Sequence, residues 1–144
     1  FFFSTSTIEE NIAFGIPRKD IDQKRVREVS KKAKISKFIE SKPYGYDSYI
    51  GERGVSLSVG QLQRIGIARA LYKNAKVLIF DEITSSLDAK TEEGIMSSIN
   101  SLSKDFTIVM ISHKKSILKD FDKVIEIDNG VIKKIYNKSD LLNF

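Results

Sequence analysis

Val77-Leu78-Ile79-Phe80-Asp81-Glu82 is the stretch that decides the architecture of this chain. Four consecutive apolar residues suit a strand buried on both faces, as in a parallel sheet, where covering helices lie above and below. The run stops at two adjacent carboxylates. In open α/β folds, ligands bind outside the C-terminal ends of the strands, so Asp81 and Glu82 fall where chemistry is done. Asp81 can hold Mg²⁺, usually through water, because this hard cation prefers oxygen donors and keeps part of its hydration shell. Glu82 can orient or deprotonate a water for attack on a phosphoryl group. Two acids ending a strand also serve as plain cap or turn residues.

Downstream the pattern repeats. Residues from about Ala89 to Leu102 read as a helix, Thr107 to Ile111 as a second buried strand, and a short helix follows Ser112. Two strand-to-helix units predict α/β architecture. His113, the chain's single histidine, follows the second strand directly and so shares the sheet edge with Asp81 and Glu82. Its imidazole can hydrogen-bond a γ-phosphate there; the alternative is a structural or surface histidine. Val124 to Ile127 and Val131 to Ile135 flank Asp128-Asn129-Gly130, and Asn-Gly supplies the positive φ angles of a tight turn. A closing β-hairpin at the sheet's edge is expected.

Upstream, Leu62, Ile65, Ala68 and Leu71 recur at helical spacing between Ser58 and Tyr72. Ser58 suits the cap, because its hydroxyl can accept from orphan backbone N–H groups. Ser58-Val59-Gly60-Gln61 is thus either an ordinary helix start or an anion site, where N–H groups and the helix dipole converge. Val26, Val29, Ala33, Phe38 and Ile39 mark one amphipathic helix and a shorter one stopped by Pro43. Tyr44 to Asp47 and Gly51 to Gly54 are rich in turn residues and read as loops.

Composition sets outer bounds. With 41% apolar and 30% charged residues over 144 positions, the chain is neither disordered nor collagen-like. No apolar run approaches the roughly 18 residues of a membrane span. It has no cysteine, which excludes disulfide scaffolds and Cys-based metal sites and is compatible with a reducing compartment. The net charge of +5 is concentrated between Arg18 and Lys42, read as a solvated helix face rather than a nucleic-acid or lipid patch. The opening Phe1-Phe2-Phe3-Ser4, with no methionine and no basic segment ahead of an apolar stretch, reads as neither a signal peptide nor a natural start, and so as a truncated gene product or a fragment.

In combination these motifs resemble the ordered set of the ABC transporter ATPases. Leu57-Ser58-Val59-Gly60-Gln61 looks like the LSGGQ signature, and Val77 to Glu82 like Walker B with its catalytic Glu. Ser85-Ser86-Leu87-Asp88 is similar to the D-loop, and Ser112-His113-Lys114 to the switch-histidine segment. Ser48 to Gly54 resembles the exporter loop that touches the coupling helices of the transmembrane domains, and Thr7 to Gly15 the segment after the exporter Q-loop. Two departures stand out. No G-x-x-x-x-G-K-[ST] phosphate loop occurs in the chain, and Val59 stands where the signature has its first Gly.

The resemblance implies a partial P-loop NTPase: a helical signature subdomain over residues 1–72, then the C-terminal part of a RecA-like parallel-sheet core with its hairpin over 73–144. It implies an ATP-binding and hydrolysing domain of an exporter at the cytoplasmic face of the membrane, with ATP and Mg²⁺ as ligands and no nucleic acid. A second ABC ATPase domain would complete each site, and transmembrane domains would be met through the Gly51–Gly54 loop. Ser58, Val59, Gly60 and Gln61 would face nucleotide held by the second domain, and Asp88 of the D-loop-like stretch would also be a nucleotide-binding residue; Asp81, Glu82 and His113 would serve nucleotide of their own domain. Glu82 and His113 would be catalytic and Asp81 the metal-binding residue. A soluble ABC ATPase acting on nucleic acid or ribosomes is the alternative, and a non-enzymatic module with a basic face a third reading.

Overall fold

The computed structural model describes residues 3–51, 54–85, 87–102 and 106–143. Three short helices come first: α1 over Ile8–Ile12, α2 over Gln23–Lys32 and α3 over Ser36–Glu40. Thr7 caps α1 through a reciprocal box with Glu10, and Asp22 caps α2 by accepting from the Arg25 amide. These caps explain why helices of five and ten residues start where they do, since short helices depend on end satisfaction and packing.

The central element is α4, Val59–Tyr72. Ile65, Ala68 and Leu71 are buried as the periodicity requires, but so are Gly60, Gln63, Gly66 and Ile67. The helix is therefore enclosed on more than one side, with α1 and α2 packed against it. Two arginines fasten it to its neighbours. Arg69 Nε donates to the Asn11 carbonyl at 2.7 Å, and Arg64 Nη1 to Ser98 Oγ at 2.9 Å. Burial lowers the pKa of both guanidinium groups from the free arginine value.

A βαβ unit follows, built from β1 (Val77–Asp81), α5 (Ala89–Leu102) and β2 (Thr107–Ile111). The strands run parallel in the register Val77 opposite Thr107 through Asp81 opposite Ile111. Leu78 and Phe80 enter one hydrophobic core with Ile65 and Ile67 of α4 and Ile95 and Ile99 of α5. The expectation of strands buried on both faces is corrected here. Val77 and Ile79 are 52% and 67% exposed, and Val109 and Ile111 are also open. Alternate residues of a strand point to opposite faces, and among the described residues helices cover only the face of Leu78 and Phe80.

After the short helix α6 (Lys115–Leu118), β3 (Lys123–Asp128) and β4 (Val131–Asn137) form an antiparallel hairpin. Asn129 and Gly130 have φ of 49° and 78°, the left-handed pair that a two-residue hairpin turn needs. Among the described residues the hairpin forms its own two-stranded sheet rather than extending β1–β2. No helix among them is long and apolar enough to cross a membrane.

Candidate functional site

β1 and β2 end side by side, with Asp81 level with Ile111, and the candidate residues gather at that edge. The Glu82 amide donates to the Ile111 carbonyl at 3.0 Å, which adds one bond to the ladder beyond the strand. The backbone then turns sharply. Glu82 has a φ of 46°, a left-handed conformation that non-glycine residues adopt only when their surroundings impose it. Its carbonyl accepts from the Ser85 amide at 3.1 Å and the Ser85 hydroxyl at 2.9 Å, closing the turn.

This turn sends the Glu82 side chain across the end of β2. Glu82 Oε1 lies 2.8 Å from His113 Nε2, and both side chains remain accessible, 44% and 90% exposed. Asp81 is exposed, and its carboxylate has no hydrogen bond or ion pair among the described residues. A hard divalent cation takes oxygen donors of this kind and completes its shell with water and phosphate oxygens, so a lone open carboxylate fits Mg²⁺ binding through one protein ligand. No group of three or more metal-binding side chains occurs among the described residues.

Ser58, Val59, Gly60 and Gln61 open α4. The Gln61 amide donates to Ser58 Oγ at 3.3 Å and the Ser58 amide to Gln61 Oε1 at 2.9 Å, forming a capping box. Val59 is half-exposed and Gly60 buried. Among the described residues Ser58 bonds within its own helix start and not to Asp81, Glu82 or His113. The structure therefore joins Glu82 with His113, keeps Asp81 beside them, and leaves the α4 N-terminus out of that constellation.

Asp88 performs the same capping service for α5. Its Oδ1 accepts from the Thr91 amide at 3.0 Å and its Oδ2 from the Thr91 hydroxyl at 2.6 Å. The hydroxyl bond, followed by the amide bond, lowers the Asp88 carboxyl below its ordinary pKa. Ser86 of the D-loop-like stretch lies outside the described residues, as do Glu52 and Arg53 of the exporter-like loop. The stem of that loop is closed by Val55 N–H to the Tyr49 carbonyl at 2.7 Å and Gly54 N–H to the Gly51 carbonyl at 2.9 Å. A Cβ on Gly54 would stand 2.2 Å from the Tyr49 carbonyl oxygen, so the second glycine is sterically required.

Sequence reasoning passed over two residues that support the turn. Gln63, 7% exposed, donates from Nε2 to the Ile83 carbonyl. Lys114 donates to the Thr84 carbonyl at 3.3 Å and pairs with Glu92 of α5. The signal for Gln63 was a polar residue three positions after buried Gly60 and four before buried Ile67, on the same face of α4.

The family model "ABC transporter" matches residues 1–85. The ATP-dependent lipid A-core flippase of Haemophilus influenzae is 43% identical over 136 residues, 94% of this chain and 23% of that protein. ABC transporter B family member 28 of Arabidopsis thaliana is 41% identical over 140 residues, 97% of this chain and 20% of that protein. A solved structure of a bacterial Atm1-family ABC exporter with ATP bound superimposes with a TM-score of 0.79 at 39% identity, covering 96% of this chain and 24% of that one. The chain thus spans less than a quarter of the length of these proteins, and its α/β fold is that of the matching part of an ABC exporter. It belongs to the ABC transporter family.

Proposed function

We propose that this chain is the signature and Walker B portion of the ATPase domain of an ABC exporter, which binds and hydrolyses ATP to drive export across a membrane. The observation that carries this reading is the pair of Glu82 and His113, 2.8 Å apart at the C-terminal edge of a parallel sheet beside an open Asp81. Glu82 orients the attacking water and accepts its proton. His113 contacts the Glu82 carboxylate and can reach the terminal phosphate. Asp81 takes the metal; bound there, Mg²⁺ would neutralise charge on the phosphate oxygens.

Ser58, Val59, Gly60 and Gln61 act on a different nucleotide, held by a second ATPase domain. The free N–H groups of the α4 start and its dipole attract phosphate, and Asp88 holds the neighbouring start of α5 at that junction. Residues 1–72 form the signature subdomain and 73–144 the end of the ATPase core. The part of the family's domain that carries the phosphate loop docks on the open face of Val77, Ile79, Val109 and Ile111. The Gly51–Gly54 loop meets the transmembrane domains, which puts this chain at the cytoplasmic face of the membrane.

The experiment is Glu82→Gln in the full-length transporter. The amide keeps shape and hydrogen bonding but loses basicity, so ATP binding survives while turnover falls at least about 100-fold. Near wild-type turnover in Glu82→Gln would overturn the assignment. The 144-residue chain alone, with no phosphate loop in its sequence, neither binds ATP tightly nor hydrolyses it. Micromolar Mg-ATP binding by calorimetry would contradict that.

A further inference from the structure

The pair of Glu82 and His113 joins two separate segments, and both are exposed at the sheet edge. A short contact between accessible side chains does not hold itself, because surface ion pairs contribute little and long side chains lose entropy in forming them. Whatever fixes the pair must therefore act on the backbones that carry it. The Glu82 backbone is in a left-handed conformation, which a residue with a side chain keeps only where the surrounding structure holds it there.

Lys114 reaches both segments. It follows His113 directly, with φ −91° and ψ 106°, an extended conformation that sends consecutive side chains in opposite directions. His113 points to solvent and Glu82, whereas Lys114, 41% exposed, turns to the other side, toward Thr84 and Glu92 of α5. Its ammonium donates to the Thr84 carbonyl at 3.3 Å, inside the turn that begins at Glu82. The same ammonium pairs with Glu92, 18% exposed, on the first turn of α5. Its amide is tied to Ser112 Oγ at 3.1 Å. From the other side, Gln63 of α4 holds the adjacent Ile83 carbonyl. The turn behind Glu82 is thus gripped at consecutive carbonyls, and one of the two grips comes from the residue next to His113.

We propose that Lys114 is a positioning residue that, anchored by Glu92, locks the His113 segment to the Glu82 turn and so maintains the catalytic pair. This deepens the ATPase reading and rests on it. An ammonium suits the task because its three donors can serve a carbonyl and a carboxylate together. A neutral residue at position 114 would leave Glu92 without its partner and the Thr84 carbonyl without a donor.

Two measurements test it. In the full-length transporter, Lys114→Met lowers kcat about tenfold with KM for ATP little changed, because misplacement of a reacting group costs rate rather than binding. Glu92→Gln lowers kcat in the same direction, the double variant is no worse than the more damaged single one, and Lys114→Arg restores most of the loss. In the full-length transporter the imidazole NMR signals of His113 are assigned by their loss in His113→Ala. Lys114→Met and Glu92→Gln move those signals toward their position in Glu82→Gln, while Lys114→Arg leaves them in place.

The proposal is overturned if Lys114→Met keeps wild-type kcat, or if its imidazole signals stay at the wild-type position in a folded protein. Should Lys114→Met fail to fold, Glu92→Gln decides by the same two criteria. The ATPase reading fails by a different result, retained turnover in Glu82→Gln, and the imidazole signals still report on Lys114 in that event.

Discussion

Gly60 and Thr91 bring the first turns of α4 and α5 into contact, so closely that a Cβ on Gly60 would stand 2.6 Å from Thr91 Cγ2. Thr91 cannot simply rotate away, because its hydroxyl and amide are both held by Asp88. The two capped helix starts, one at Ser58 and one at Asp88, are therefore fitted to each other through a residue without a side chain.

The first prediction follows from that contact. Gly60→Ala gains helix propensity of up to about 1 kcal/mol but forces a clash of the kind that costs about 1–3 kcal/mol in a packed site. The net effect is a lower melting temperature for the chain. Thr91→Ser removes the obstructing methyl while keeping the hydroxyl, so Gly60→Ala is less harmful in that background. A melting temperature equal to wild type in Gly60→Ala alone would show that α4 and α5 are not locked together here.

The second prediction concerns acid. Glu10 Oε2 accepts from the Thr7 amide at 2.9 Å and the Thr7 hydroxyl at 2.7 Å, and these bonds, the amide first, hold its carboxyl below the ordinary value. A lowered folded-state pKa gives stability that is fully present above the unfolded value, about 4.3, and is lost as pH falls through the lower folded value. Neighbouring Glu9 has the opposite sign, since burial raises its carboxyl, but it is present in both proteins compared. Wild type should therefore be more stable than Glu10→Gln at pH 7, with the gap closing below about pH 4. Denaturant midpoints across that range measure it, and a gap independent of pH would show that the charge of Glu10 contributes nothing.

Much of this was legible in the sequence because the signals were local. The helix Ala89–Leu102 and the strand Thr107–Ile111 run over the residues that periodicity and β-branching indicate, and Asn129-Gly130 forms the turn its φ preferences demand. Ser58 caps α4 as its position suggests. What the sequence hid depends on residues far apart in the chain. Val77 and Ile79 are as apolar as Leu78 and Phe80, so composition cannot tell which face of β1 is covered. Gln63 reads as a surface residue until α4 is seen to be enclosed on several sides. The left-handed turn at Glu82 and the pairing of Lys114 with Glu92 follow from tertiary packing, which no local pattern encodes.

The last prediction concerns Val59, where the chain departs from its family's signature. The side chain is 50% exposed at the first position of α4, while the cap bonds are made by Ser58 and Gln61 on either side. An exposed β-branched residue there neither blocks the N–H groups of the helix start nor removes the dipole that attracts phosphate. Val59→Gly in the full-length transporter should accordingly change ATP hydrolysis little, by less than about threefold, which is under 1 kcal/mol of barrier. If the valine instead obstructed closure onto the second domain's nucleotide, restoring glycine would raise turnover. ATPase rates of the two proteins at saturating ATP decide between these outcomes. A gain above about tenfold, equivalent to roughly 1.4 kcal/mol, would mean that the isopropyl group faces the nucleotide and that this site is held below its attainable rate by a single side chain.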